Sequence, residues 1–236
     1  MKLLVTSTFV TPNIADDLAF LRRHYAVEHL LVSGGAALPR ILRAVRRNDV
    51  VYCWFASTYA AVAVAAARSL GRPAVIAIGG GDIAGIEEIG YGIWSSPWKS
   101  RLVKFALRNA HTILAVDPFL KEEAARRADY DGGNIRTLPP GFDAGFWSPD
   151  GTRGDGVLTV AACDSEPRLN VKGIDLVLET ARLLPNVRFI LVGIDSRFVP
   201  ELRMKAPGNI DIREQASREE VLQWHSHWLL EKLMRR

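Results

Sequence analysis

The sequence predicts an α/β protein built on parallel sheets, and three observations carry this prediction. Short runs rich in Val, Ile and Leu alternate with helical patterns along the whole 236-residue chain. The runs are almost continuously apolar, which is typical of strands that are buried on both faces of a parallel sheet. A stretch rich in Pro, Gly and Asp at 139–156 interrupts the alternation, after which it restarts. We therefore expect two units of sheet and helices, the first larger than the second.

The first unit is predicted over residues 1–140. Its expected strands are the apolar runs at 3–9, 27–32, 49–55, 73–78, 112–116 and 134–138. The helices between them have apolar residues at helical spacing, and they are expected at 16–24, 38–47, 58–70, 98–109 and 118–128. Gly71 ends the Ala-rich third helix. Six strands joined by helices predict a parallel sheet covered on both faces.

The second unit is predicted over residues 157–236, after a linker at 141–156. Strands are expected at 157–162, 187–193 and 209–213, and helices at 172–185 and from Arg218 onward. A short helical or irregular piece lies between them at 198–205. Three parallel strands form a small sheet with an exposed edge, which predicts self-association.

Composition and charge exclude some classes of function. The net charge of +4 is too small an excess to indicate a nucleic-acid-binding protein. Cys53 and Cys163 each lie in an apolar run, so we expect buried thiols in a reducing compartment, with neither a disulfide nor a metal site. The chain has no signal-peptide pattern and no apolar run long enough to span a bilayer, so a cytoplasmic protein is expected.

A candidate anion site lies at the start of the helix predicted at 172–185. Helix N-termini present unpaired N–H groups and partial positive charge, and Lys172 and Gly173 stand at this position. Arg168 adds a second cation in the same loop. The alternative is that both cations are ordinary solvated surface residues.

The order of several segments resembles family-4 glycosyltransferases, which are retaining enzymes of the GT-B fold with two Rossmann-like domains. The segments that carry the resemblance are ILAVDPFLKEEAARR (113–127), NIRTLPPGFDAGFWSPDG (134–151), the stretch 158–193 around NVKGIDLVLE, and NIDIREQASREEVLQW (209–224). Upstream, the stretch 49–92, which ends in GGGDIAGIEEIGYG, is similar to the acceptor-domain segment of one subgroup. The resemblance covers essentially residues 1–225, and its specificity lies in the order of the segments.

The resemblance implies a nucleotide-diphosphate sugar held by the second domain and an acceptor on the first. Transfer would proceed with retention and without a metal cofactor, and no catalytic residue is assigned. The implied diphosphate-binding residues are Arg168, Lys172 and Gly173, although Arg168 stands closer to Lys172 than the family's arginine usually does. The implied nucleotide-binding residues are Gly193, taken as a turn after its strand, and Arg213, Glu214 and Gln215. The residues expected to line the interdomain cleft are Gly79, Gly80, Gly81 and Asp82.

Two departures from the family pattern keep other functions open. Family members continue beyond the segment at 209–224 into a further strand and a segment of paired glutamates, whereas this sequence reads HSHWLLEKLMRR. We therefore expect a truncated donor domain. One alternative is a catalytically inactive remnant that acts as a binding protein. Another is a nucleotide-sugar epimerase of the UDP-N-acetylglucosamine 2-epimerase type, but the sequence shows no cluster of acid and base residues for it.

The segment 95–110 suggests a contact with a membrane. Arg101, Lys104 and Arg108 fall on one helical face, while Trp98 and Leu102 lie elsewhere. That composition suits a helix lying on an anionic bilayer, which would place the protein peripherally on the inner face of the membrane. A lipid-linked sugar or a glycan is then the expected acceptor. The alternative is an ordinary amphipathic helix packed on its own sheet.

Overall fold

The computed structural model describes residues 1–147 and 156–227, with side chains up to Leu222. The chain divides into two compact units, Met1–Phe142 and Asp143–Arg236. The linker predicted at 141–156 spans this boundary, and its residues 148–155 lie outside the described part of the chain.

The first unit contains a six-stranded parallel sheet with the strand order β2-β1-β3-β4-β5-β6. Its strands are β1 (Lys2–Ser7), β2 (Ala26–Leu31), β3 (Val50–Trp54), β4 (Ala74–Ile78), β5 (Thr112–Ala115) and β6 (Ile135–Thr137). All six predicted strands are present; β2 has the length of its predicted run, shifted by one residue, and the other five are one or two residues shorter than theirs. The carboxyl ends of all six point to the same edge of the sheet.

Five α-helices connect these strands, and their starts follow from local sequence. They are α1 (Pro12–His24), α2 (Ala37–Arg47), α3 (Thr58–Ser69), α4 (Pro97–Asn109) and α5 (Pro118–Ala128). Thr11, Ser57 and Asp117 cap α1, α3 and α5, because each side chain accepts a hydrogen bond from a backbone N–H in the first turn. Two short 3-10 turns, Glu87–Ile89 and Ile93–Ser95, lie between β4 and α4.

The helices cover the two faces of this sheet unequally. Helices α2 to α5 pack on one face, where Ile41, Val64, Leu107 and other apolar residues form the main core with alternate residues of the strands. Helix α1 packs on the opposite face, where Ile14 and Leu18 meet Leu3 and Val5 in a separate cluster. Each fully buried aliphatic side chain of this kind stabilises the fold by about 1.5–3 kcal/mol.

The second unit contains a three-stranded parallel sheet with the strand order β7-β8-β9. Its strands are β7 (Gly156–Cys163), β8 (Arg188–Ile194) and β9 (Ile210–Arg213), and its helices are α6 (Glu166–Val171), α7 (Ile174–Leu183), α8 (Val199–Lys205) and α9 (Arg218–His227). In the residues that the structure describes, the predicted division into six and three parallel strands is confirmed.

The single helix predicted at 172–185 is wrong at its start. A separate helix, α6, begins six residues earlier, and Lys172 and Gly173 lie between α6 and α7. Gly173 has a φ of 63°, in the left-handed region, which ends one helix and allows the next to start in a new direction.

Candidate functional site

Ligands of open parallel sheets bind beyond the carboxyl ends of the strands, so the loops at those ends are the candidate site in each unit. In the first unit, Asp82 organises this edge. Its Oδ1 accepts hydrogen bonds from the N–H groups of Gly79 (3.0 Å) and Gly80 (2.9 Å). Its Oδ2 accepts one from the N–H of Ala56 (2.8 Å), in the loop after β3. One carboxylate therefore ties together the loops that follow β3 and β4.

The carboxyl group of Asp82 is buried, with 7% of the residue exposed. Burial raises the pKa of Asp82, and the three backbone N–H donors oppose that rise because they stabilise the charged form. The backbone oxygen of Asp82 also accepts a hydrogen bond from the indole N–H of Trp94 at 3.1 Å. The sequence placed Asp82 on the lining of a cleft, whereas its side chain is directed into the protein's own backbone.

Strain accompanies this arrangement at the end of β3. Phe55 has a φ of 70°, in the left-handed region, which costs a residue with a side chain about 1–2 kcal/mol. Its N–H nevertheless donates to the carbonyl of Ala77 at 2.8 Å. Its ring lies 5.2 Å from that of Phe9 and 5.6 Å from that of Trp54, between ring centroids. Aromatic packing of Phe55, together with the hydrogen bond that the N–H of Ala56 donates to Asp82, holds this strained turn.

In the second unit, the predicted phosphate-binding cations lie at the carboxyl end of β7. The guanidinium of Arg168 forms an ion pair with Asp164, with 3.0 Å between Nη1 and Oδ2. Among the described residues, no ion pair holds the ammonium of Lys172. Burial raises the pKa of the Cys163 thiol, and the charges of Lys172 and Arg168 oppose that rise. Both cations therefore act on the last residue of β7.

The backbone around Lys172 corrects one part of the sequence interpretation. The N–H groups of Lys172 and Gly173 already donate to the carbonyls of Arg168 and Asn170, at 2.9 and 3.0 Å. These two amides are part of the end of α6 and are not the free donors expected of a helix N-terminus. Lys172 and Arg168 can thus offer their side chains to an anion, but the first unpaired amides of α7 begin at Ile174.

The strand predicted at 187–193 is present as β8, but the turn expected at its last residue is not, because β8 continues through Gly193 to Ile194. The φ of Gly193 is 101°, and a Cβ at this position would stand 2.5 Å from the carbonyl oxygen of Ala161 on β7. The register of β7 and β8 shifts between Val160 and Cys163, which brings the two backbones this close. Only glycine fits here, for a reason internal to the sheet.

The structure brings Gly193 together with the other predicted nucleotide-binding residues. Its N–H donates to the carbonyl of Glu214 at 3.1 Å, so Glu214 and Gln215 follow directly from the end of β9 beside β8. Arg213 is the last residue of β9, and its Nη2 lies 2.7 Å from Oδ2 of Asp211. These residues share the sheet edge with Arg168 and Lys172.

Two findings about metals and membranes complete the description. Within residues 1–147 and 156–222, no group of three or more His, Cys, Asp or Glu side chains could hold a metal ion. No helix in the described part of the chain is both long and apolar enough to cross a bilayer.

Comparison with known proteins decides the family. The sequence model that describes the glycosyltransferase family 4 matches residues 7–146, which is more than half of the 236 residues. The chain belongs to glycosyltransferase family 4. No protein among the curated sequences matches it significantly.

Solved structures show that this family 4 chain has the fold of GT-B glycosyltransferases. Anabaena HepE in complex with UDP is 15% identical with a TM-score of 0.62, over 94% of this chain and 71% of HepE. A glycosyltransferase from Rickettsia africae is 10% identical with a TM-score of 0.62, over 96% and 71% of the two chains. The UDP-GlcNAc 2-epimerase from Neisseria meningitidis bound to UDP-GlcNAc is 14% identical with a TM-score of 0.53, over 97% and 76%.

Sequence reasoning missed one cation at the sheet edge of this glycosyltransferase family 4 chain. The guanidinium of Arg197 forms a fork with the carboxylate of Asp195, with Nε–Oδ1 and Nη2–Oδ2 distances of 2.9 and 3.1 Å. Its Nη2 also donates to the backbone oxygen of Asp164 at 3.0 Å. Arg197 thus bridges the loops after β7 and β8. The available signal was an Asp directly after an apolar strand with an Arg two residues later.

Proposed function

We propose that this protein transfers a sugar from a nucleotide-diphosphate sugar to an acceptor, with retention of configuration and without a metal cofactor. Membership of glycosyltransferase family 4 supports transfer as the reaction class. The observation that carries the proposal is that Arg168 lies in α6 and Lys172 at its end, in the segment that directly follows the carboxyl end of β7. Two relatives in fold carry UDP or UDP-GlcNAc, which supports a nucleotide sugar as donor.

The chemistry of the proposed site follows from charge. Breaking the bond between the sugar and the diphosphate builds negative charge on the leaving group. Fixed cations stabilise that charge in the transition state, and Lys172 and Arg168 would supply them. The loop formed by Glu214 and Gln215 beside Gly193 would hold the nucleotide. Arg168 would have to leave or share Asp164 in order to bind phosphate.

The decisive experiment is a titration of the purified protein with UDP, GDP and ADP, and with their sugars, by isothermal calorimetry. Lys172→Ala removes one charge-assisted hydrogen bond to phosphate, so we expect the Kd of this variant for the nucleotide to be about 10- to 100-fold higher than that of the parent protein. Lys205→Ala is the matched control, because Lys205 belongs to the same unit and pairs with Glu201 at 2.7 Å. Absence of binding, or equal affinity of Lys172→Ala and the parent protein, would overturn the proposal.

The first unit would bind the acceptor. Gly79, Gly80, Gly81 and Asp82 at the end of β4 form the loop we assign to it, as the resemblance implies. A glycan or a lipid-linked sugar is the proposed acceptor class, and a cytoplasmic protein held peripherally through 95–110 is the proposed location. Trp98 on this segment is 59% exposed, which supports such a contact.

A second candidate function is epimerisation of a UDP-sugar, and the fold match to the Neisseria meningitidis enzyme favours considering it. Incubation with UDP-GlcNAc followed by NMR separates the outcomes. An epimerised UDP-sugar identifies an epimerase, whereas UDP released only with an acceptor, and a glycoside of retained configuration, identifies the proposed transferase. Binding without turnover of any nucleotide sugar identifies a non-catalytic binding protein.

A further inference from the structure

Helices α2, α3 and α4 form a strongly basic face. Helix α3 packs between α2 and α4, on the same side of the first sheet. The three helices contain no acidic residue. Their nine cationic residues are Arg40, Arg43, Arg46, Arg47, Arg68, Lys99, Arg101, Lys104 and Arg108.

Only part of this charge is neutralised by the protein itself. Arg47 pairs with Glu28 at 2.6 Å, and Lys104 and Arg108 pair with Asp129 at 3.3 and 3.1 Å. In the part of the chain that the structure describes, the other cations of the face form no ion pair; they are Arg40, Arg43, Arg46, Arg68, Lys99 and Arg101. The face therefore presents an uncompensated positive charge to solvent.

Large apolar side chains are exposed among these cations. On α4, Trp98, Leu102 and Phe105 recur at the spacing of one helical face, and 59%, 39% and 39% of their surfaces are exposed. The ammonium of Lys99 lies 5.7 Å from the Trp98 ring centroid. On α2, Leu38 is exposed as well. Water solvates such a cluster of apolar side chains poorly, whereas a layer of lipid headgroups and acyl chains accommodates both the rings and the cations.

We propose that the face formed by α2, α3 and α4 binds the surface of an anionic lipid bilayer. The contact extends well beyond the segment 95–110, because α2 contributes as many cations as α4. Charge complementarity selects the occupant: two copies of this face would repel each other, and a purely electrostatic partner would leave Trp98, Leu102 and Phe105 in water. This inference rests on the peripheral contact proposed above for 95–110 and extends it, but it does not depend on the proposed transfer reaction.

The test is co-sedimentation of the full chain with lipid vesicles. Vesicles that contain equal amounts of phosphatidylglycerol and phosphatidylcholine should bind the protein, and binding should weaken as salt is raised. Each cation near such a surface contributes about fivefold to partitioning, so Arg43→Gln/Arg101→Gln should lower the partition coefficient about 30-fold. The matched control is Arg22→Gln/Arg23→Gln, which has the same net charge but changes α1 on the opposite face of the sheet. It should bind like the parent protein.

The apolar residues are tested separately with Trp98→Ser/Phe105→Ser, which we expect to lower partitioning at least tenfold. All of these substitutions are at exposed positions, and circular dichroism checks that each variant is folded. Equal binding to vesicles of pure phosphatidylcholine would overturn the proposal. So would an equal loss in the α1 control, since binding would then follow net charge alone. Unchanged binding of Trp98→Ser/Phe105→Ser, together with equally tight binding to heparin, would identify a soluble polyanion as the partner and overturn the bilayer.

Discussion

Replacing Asp82 by Asn is the most direct test of how the first sheet edge is held together. In the native protein the carboxylate accepts three backbone hydrogen bonds of 2.8–3.0 Å. An Asn side chain can keep the bonds from Gly79 and Gly80 through its oxygen, but its NH₂ group then faces the N–H of Ala56, and two donors cannot bond. Ala56 is fully buried, so no water replaces the lost acceptor. A buried donor left unsatisfied costs about 1–3 kcal/mol.

We therefore expect Asp82→Asn to lower the free energy of unfolding by about 2 kcal/mol. Urea denaturation followed by circular dichroism measures this value, provided that the first unit unfolds in a two-state transition. Glu88→Gln makes the same change of charge at an exposed position in the same loop region, and it should stay within about 0.5 kcal/mol of the parent protein. If Asp82→Asn were as stable as Glu88→Gln, the three hydrogen bonds would not be what holds these loops.

Two further predictions concern stability. Gly92→Ala should destabilise the protein by more than about 3 kcal/mol, because the φ of Gly92 is 92° and a Cβ there would collide with the backbone carbonyl of Ala84. Gly90→Ala should cost about 1 kcal/mol, because Gly90 has a φ of 62° but open space around it. Thermal unfolding compares the two variants, and equal losses of stability would contradict the steric reasoning. Arg126, followed by Arg127, holds the pKa of Glu123 below its usual value of 4.5, so its stabilising contribution is complete above pH 4.5 and is lost as the pH falls further. The deficit of Glu123→Gln in urea denaturation should thus be below about 1 kcal/mol at pH 7 and should shrink by pH 3, and a deficit that grows on acidification would reverse the sign of this argument.

Most of the fold was predictable from the sequence, because buried parallel strands leave an unmistakable apolar pattern. The runs at 73–78 and 112–116 became β4 and β5 almost residue for residue. The break between α6 and α7 was not predictable, because Lys172 and Gly173 fit the beginning of one helix as well as the end of another. The positive φ of Gly173 places the break between the two helices here, and a φ value cannot be read from residue type alone.

For the candidate site residues, the sequence predicted their positions at the ends of strands better than it predicted the contacts they make. Arg168 and Lys172 do stand at the carboxyl end of a strand, as expected of ligand-binding residues. The partner of Arg168, and the whole bridge made by Arg197, depend on how two loops approach each other in space. Gly193 misled the sequence reasoning because a glycine at the end of an apolar run usually marks a turn, whereas here it permits contact between two strands.

The ion pair between Asp164 and Arg168 makes the protein its own competitor for anions. A ligand that engages this guanidinium would displace or share a carboxylate that is already 3.0 Å away, so the affinity measured would be a difference between two ion pairs. Strongly charged ligands can pay that exchange cost, whereas weakly charged ones gain little by it. At the proposed site, a resident carboxylate would thereby discriminate among anions by charge density before any contact with a sugar or a base is made.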